Sequence, residues 1–253
     1  MRIEVLGSYG GESINCRLTS LLINDTIALD AGSLSQALPI ERQRKIETVL
    51  VTHSHMDHTN SLPFFIENVY GGERTSIDVY ASAATTYSVR KHLFNNASWP
   101  DFTRLPNNLL PSIRFRELEE EIPIVLNGVT FTPFFVDHLV PTFGYLIEQD
   151  GVSVIWSSDT GPTVRLWEIA NTARGLVAIC LDTSFDNSMQ RIADLSLHLT
   201  PQTLELELEK LERDVAVYLH HLKPPCIERI VHEVKALENP KIRFLEQGRA
   251  YEF

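Results

Sequence analysis

The sequence predicts an α/β protein in four layers, two β-sheets packed face to face with helices outside. Two series of strand-like runs predict the sheets. The first covers 3–6, 21–29, 48–52 and 77–81, and the second 122–126, 129–136, 143–148, 152–157, 176–181, 215–219 and 242–245. Many are rich in Val, Ile, Phe or Thr and are bounded by Gly, Asn or Asp. Helical stretches interleave with both series. No Pro/Gly/Ser-rich linker and no short repeat divides the 253 residues. A single domain (1–253) with two β-rich halves follows.

Asn24-Asp25, Asn127-Gly128 and Asp150-Gly151 mark hairpin turns. Helices are expected over 60–70, 83–94, 162–171, 201–213 and 228–237. The third and fourth open with proline near the first turn, behind Thr160 and Thr200 as N-caps. In the fourth, Leu204, Leu208 and Leu211 make an apolar stripe and the Glu residues are expected to face water. The segment 95–111 has no clean period and is punctuated by Pro100, Pro106 and Pro111. It reads as a long loop, a lid or an interface element. In it, Trp99 and Phe102 either stack on a flat substrate or anchor the loop to the core or a partner subunit.

Composition narrows the function classes. The chain is 43% hydrophobic and 22% charged, ordinary for a globular protein. A net charge of −11 repels long nucleic acids at range, although a local basic patch is compatible with it. The first residues lack the pattern of a signal peptide, and no apolar run is long enough for a membrane span. Cys16, Cys180 and Cys226 are few and widely spaced, as in the reduced thiols of a cytoplasmic protein.

One stretch carries chemistry. His53-Ser54-His55-Met56-Asp57-His58 follows a strand-like run and places four metal-ligand side chains within six residues. The bland alternative is a polar loop rich in histidine. Four ligands crowd a single ion, so two adjacent ions are expected. Other strand ends supply the remaining ligands: His138 after 134–137, Asp159 after 155–158, and His220-His221 after 217–219. His53, His55 and His138 would hold one ion. Asp57, His58 and one of His220 or His221 would hold the other, with Asp159 bridging. Nitrogen and carboxylate ligands without thiolate suit two Zn²⁺, with Mn²⁺ or Fe as alternatives. His92 and His232 lie in helical runs and read as solvated.

The HxHxDH cluster with His138, Asp159 and a terminal histidine resembles the metallo-β-lactamase superfamily. That resemblance implies an αββα sandwich with a dinuclear site at the shared edge of the sheets. Leu181-Asp182-Thr183-Ser184-Phe185, His198-Leu199-Thr200-Pro201, His221-Leu222-Lys223-Pro224 and the loop from Phe94-Asn95-Asn96 to Trp99-Pro100 resemble the class II cyclic-nucleotide phosphodiesterases. The resemblance favours His221 over His220 as ligand. The chain departs from the family in Met56, where leucine is frequent, and Asp182, where glutamate is usual. A homodimer with 95–111 near its interface is what the family implies.

Asp57, His198 and Asp182 are then the candidate catalytic residues. His198 would protonate the leaving oxygen, and Asp182 would hold its other ring nitrogen. Lys223 would neutralise phosphate charge, or is simply a surface lysine beside a Pro-Pro turn. The expected activity is hydrolysis of 3′,5′-cyclic AMP or GMP, a small substrate, to the 5′-monophosphate. A ribonuclease Z-like phosphodiesterase, a lactonase and a non-catalytic sensor are the alternatives. The first, resembling the tRNA 3′-processing endonucleases, shares the His198 feature but would carry an RNA-gripping arm, which is not visible in the sequence. Gly7-Ser8-Tyr9-Gly10-Gly11 lacks a following Gly-Lys-Ser/Thr and reads as a turn near the site.

Overall fold

A computed structural model describes residues 1–71 and 76–253. The N-terminal sheet contains β1 (Arg2–Gly7), β2 (Ser20–Ile23), β3 (Ile27–Leu29), β4 (Thr48–Leu50) and β5 (Ile77–Ala81). A short ribbon follows, β6 (Pro106–Asn107) and β7 (Leu110–Pro111), and then β8 (Ile113–Glu117) joins the first sheet beside β5. The C-terminal sheet is β9 (Ile124–Leu126), β10 (Val129–Val136), β11 (Thr142–Gln149), β12 (Val152–Trp156), β13 (Leu176–Asp182), β14 (Ala216–His220) and β15 (Ile242–Phe244). The last strand, β16 (Ala250–Glu252), returns to pair with β1.

Three apolar clusters stack the layers. Between the sheets, Ile3, Val5, Leu21 and Leu29 meet Phe131, Tyr145 and Trp156. Outside the first sheet lie α1 (Leu34–Ala37), α2 (Ile40–Gln43), α3 (Met56–Thr59), α4 (Leu62–Val69) and α5 (Ala83–His92), with Leu34, Phe65 and Val89 packed on β4 and β5. Outside the second lie α6 (Arg165–Thr172), α7 (Gln190–Ser196), α8 (Pro201–Leu208) and α9 (Ile227–Ala236), anchored by Leu166, Leu204 and Ile230. The αββα order expected from the sequence is the order found. Each fully buried aliphatic or aromatic side chain contributes about 1.5–3 kcal/mol, so the face-to-face clusters fix the sheets against each other.

The turn signals hold. Asn127-Gly128 and Asp150-Gly151 are two-residue hairpin loops with all four residues at positive φ, the conformation a primed turn requires. Other expectations need correction. The helix expected at 162 starts at Arg165, and the Thr160 hydroxyl bonds to the Gly161 carbonyl instead of capping it. Thr200 does cap α8, in a capping box with Thr203. That helix ends at Leu208, and Glu207 does not face water. Its buried carboxylate accepts from the Thr163 amide, Trp167 Nε1 and Lys210 Nζ, tying α8 to α6. Strand β8 was not expected because Arg114, Arg116 and Glu117 break its apolar pattern; Asp78 on β5 pairs with both arginines.

The loop 95–111 is fastened to the outer face of the first sheet. Phe102 is 7% exposed and packs with Phe94 and Tyr70. Trp99 lies edge-on to Phe64 of α4 and rests on the same cluster. Of the two readings offered for these rings, the packing matches anchoring of the loop to the core.

Candidate metal centre

Strand direction explains why the ligands meet. Strands β10 and β12 are both antiparallel to β11 and so run the same way; β13 and β14 run parallel to β12. Their C-terminal ends deliver His138, Asp159, Asp182 and His221 to one edge. In the other sheet β3 and β4 are parallel, and their ends deliver Asp30 and the 53–58 segment. Carboxyl ends of parallel strands are where open α/β sheets place ligands.

Two clusters result. His53, His55, His138 and Asp159 form one, and Asp57, His58, Asp159 and His221 the other, with the ligand atoms of each group within 4.8 Å of one another. Asp159 belongs to both. Its Oδ1 is 3.1 Å from His58 Nε2, and its Oδ2 is 3.6 Å from His53 Nε2 and 3.2 Å from His221 Nε2. Asp57 Oδ2 is 3.1 Å from His221 Nε2. A third grouping, Asp159, Asp182, His198 and His221, also has its ligand atoms within 4.8 Å of one another. There the His198 Nδ1 is already taken by Asp182 at 2.7 Å.

The donor atoms fit cations. His55 Nδ1 faces His138 Nε2 at 3.3 Å, and His58 Nε2 faces His221 Nε2 at 3.4 Å. Two imidazole nitrogens at such distances need a proton or a cation between them. His53 Nε2 is buried without a hydrogen-bond partner. An unpaired buried polar atom is costly, and coordination would satisfy it.

The rings are held from behind. His58 Nδ1 donates to Asp30 Oδ2 at 2.7 Å. His221 Nδ1 donates to Ser184 Oγ at 2.9 Å, and Ser184 Oγ donates to Asp182 Oδ1 at 3.0 Å. His53 Nδ1 meets Thr52 Oγ1 at 3.0 Å, and His138 Nδ1 meets the Leu197 carbonyl at 3.1 Å. Such partners fix the tautomer and aim the free nitrogen. Asp30, Thr52 and Ser184 were missed in the sequence. Asp30 had the same signal as Asp159, an aspartate closing an apolar strand; Ser184 stood inside the 181–185 motif without a role, and Thr52 had no signal.

His220 and His221 separate cleanly. His221 takes φ 67°, which turns its ring to the clusters. His220 ends β14 with its ring stacked on Trp156 at 3.9 Å, fully buried. Burial pushes the His220 imidazole down to about 3, so it stays neutral in the interior. The 7–11 turn lies against the site as expected: a Cβ on Gly10 would be 2.5 Å from His221 Cε1. A Cβ on Gly32 would be 2.1 Å from the Asp57 carbonyl, so neither position admits a side chain.

Electrostatics divide the groups. Burial lowers His53 well below the usual range and His138 to about 4. Burial works against charge on His58 too, but Asp159 and Asp30 outweigh it and hold that ring well above its ordinary value. Burial alone would raise Asp57; the His221 hydrogen bond and the neighbouring imidazoles hold it far below instead. His198, with rings of His138 and His221 at 5.0 and 5.2 Å, sits at the mouth. Burial disfavours its charged form, and Asp182 more than compensates, raising it. Lys223 Nζ reaches the Gly10 carbonyl at 2.5 Å and Asp57 Oδ2 at 3.5 Å.

An αββα sandwich carrying paired His/Asp clusters at its strand ends defines the class of metallo-β-lactamase-fold, metal-dependent hydrolases. The chain belongs to the beta-lactamase superfamily, whose domain pattern matches residues 21–221. Ribonuclease Z of Streptococcus suis (strain 98HAH33) is 30% identical over 165 residues, 59% of this chain and 50% of that protein. Ribonuclease Z of Lactobacillus johnsonii (strain CNCM I-12250 / La1 / NCC 533) is 24% identical over 88% of each chain. This chain thus spans about half the length of the streptococcal relatives it matches. Among solved structures, unliganded yeast PDE1 superposes with a TM-score of 0.80 at 16% identity over 98% of both chains. The metallo-beta-lactamase fold protein YhfI from Bacillus subtilis gives 0.78 at 14% identity over 99% of this chain and 98% of its own. These structural likenesses speak to the fold. Among the described residues no helix is long and apolar enough to cross a membrane.

Proposed function

We propose that the protein is a dinuclear metal-dependent phosphodiesterase that opens 3′,5′-cyclic nucleotides, cAMP or cGMP, to 5′-monophosphates. The observation that carries this reading is the His198–Asp182 pair, 2.7 Å apart, beside the two ligand clusters. Divalent cations held by these clusters, Zn²⁺ first by donor type and Mn²⁺ or Fe next, would supply an acidified water and positive charge for phosphate oxygens. The chain's own groups do the rest. Asp57 stays ionised and accepts the hydrogen bond that orients the attacking water. His198 has Nδ1 committed to Asp182, which leaves Nε2 to hold a proton for the departing 3′ oxygen. Asp182, completely buried, favours the charged ring. Lys223, beside Asp57, is placed to meet a phosphate oxygen.

His198→Ala should retain two metal ions while losing about 10²–10⁴-fold in turnover of cAMP. Unchanged turnover would remove His198 from the reaction. A second reading, cleavage of RNA, is favoured by the ribonuclease Z relatives. Turnover of an RNA 3′ extension with no activity on cyclic nucleotides would decide for it, and turnover of a lactone alone would decide for a lactonase.

A further inference from the structure

The acidic balance of the chain reverses at one place, the edge strand β8 of the first sheet. An open groove of about 720 Å³ there is lined by Arg90 of α5, Arg104 of the 95–111 loop, and Arg114, Phe115 and Arg116 of β8. A second hollow of about 360 Å³ shares Arg90 and is lined by Tyr87 and Lys91. Asp101 and Glu117 also line it, and Asp78 pairs with Arg114 and Arg116. Five cations thus meet three carboxylates, in a chain where 22 basic residues face 33 acidic ones.

The carboxylates leave much of this charge free. Asp78 takes Nε and Nη2 of Arg114 but only Nε of Arg116, so both terminal nitrogens of Arg116 stay unbonded. Arg104 reaches Asp101 at 3.3 Å through Nε and is 71% exposed. Arg90 is exposed and has no carboxylate partner among the described residues. Charged side chains on an edge strand guard against stray pairing, but that role needs neither a groove nor aromatic rings. Here each hollow combines a ring with cations. Phe115 is half-buried between the two β8 arginines, and Tyr87 is exposed with Lys91 Nζ 5.2 Å from its ring centre.

Guanidiniums grip phosphate oxygens, and aromatic faces stack on bases whatever their identity. A single phosphate would draw the guanidiniums to one point. These come from three elements and line two adjoining hollows, and Arg114 and Arg116, two apart on a strand, are spaced by about 6.5 Å. That layout suits a succession of phosphates. We propose that this double hollow binds a single strand of nucleic acid by its phosphates and base faces, without reading its sequence. The site is separate from the metal centre, since β8 lies two strands from β4, whose end leads to His53. It stands whether or not cyclic nucleotides are the substrate.

The test titrates a labelled single-stranded RNA of roughly 12 nucleotides, within the usual footprint of such grooves, into the full chain at low salt and reads fluorescence anisotropy. The double variant Arg90→Gln/Arg104→Gln changes two exposed side chains. It should bind about 10-fold more weakly, and its slope of log affinity against log salt should shrink by about 1.4, or 0.7 per lost contact. Arg90→Lys/Arg104→Lys should keep the slope. Tyr87→Ala should weaken binding at least about 5-fold through lost stacking. Asp159→Ala, altered in the metal centre, should bind like the wild type. Absence of RNA binding by the wild type, or unchanged affinity in the glutamine and alanine groove variants, overturns the proposal. So does binding that is lost in Asp159→Ala but kept in those variants, which would place the RNA at the metal centre. Equal affinity for the same RNA paired with its complement overturns the single strand, and full displacement by inorganic triphosphate at equal phosphate concentration would reduce the groove to a small-anion site.

Discussion

The two ligand clusters share Asp159 but are built differently. The His53–His55–His138 cluster has one carboxylate, and its rings are backed by a hydroxyl and a backbone carbonyl. The Asp57–His58–His221 cluster has two carboxylates, and its imidazoles are backed by Asp30 directly and by Asp182 through Ser184. More negative charge and stronger hydrogen-bond acceptors would make the second the tighter, harder cation site. The first offers mostly nitrogen to a softer or weaker grip. A shared fold edge thus yields two unequal sites because the groups behind the ligands differ.

Removing the shared residue should have the largest effect. Asp159→Ala takes a ligand from both clusters, and turnover should fall on the order of 10³-fold or more, since charge stabilisation worth several kcal/mol is lost. Metal content by mass spectrometry should fall with it; a variant that keeps two ions would break the description of Asp159 as common to both. Next comes Asp30→Asn. Calorimetric titration of the metal-free wild type should show two phases, and this variant should weaken the tighter one about 10–100-fold. If both phases weaken equally, the difference in backing is not what separates the sites. The smallest effect on binding is expected for Thr52→Val, with less than about 10-fold loss in either phase and about 1–3 kcal/mol of stability, because His53 Nδ1 and the Asp30 carboxylate both lose the Thr52 hydroxyl. Urea unfolding of the metal-free protein reads the second quantity.

What the sequence reveals depends on whether a role is written in residue type or in packing. The 53–58 segment, His138 and Asp159 were legible because strand ends, ligand chemistry and spacing coincide. His221 was not separable from His220 by type; a left-handed backbone turn and the stack on Trp156 separate them. Asp30 was legible in principle, but an aspartate after a strand is also a turn former. Glu207 looked like one of several solvated helix acids, and only the approach of Trp167 and Thr163 from α6 makes it an interior anchor. Phe102 followed the same rule: an aromatic residue in a loop carries no mark of whether it faces a ligand or the core.

The tighter cluster also joins distant parts of the chain. His58 and His221 face each other across 163 residues of sequence and come from different sheets. A cation held between them would act as a reversible cross-link between the two halves. At a free-ion concentration 100 times the dissociation constant, it would add about 2.7 kcal/mol to the native state, comparable with a disulfide. Metal supply would then govern two quantities at once, the fraction of molecules able to react and the lifetime of the folded chain against proteolysis. A metal-starved cell would hold less of this protein as well as a less active form of it.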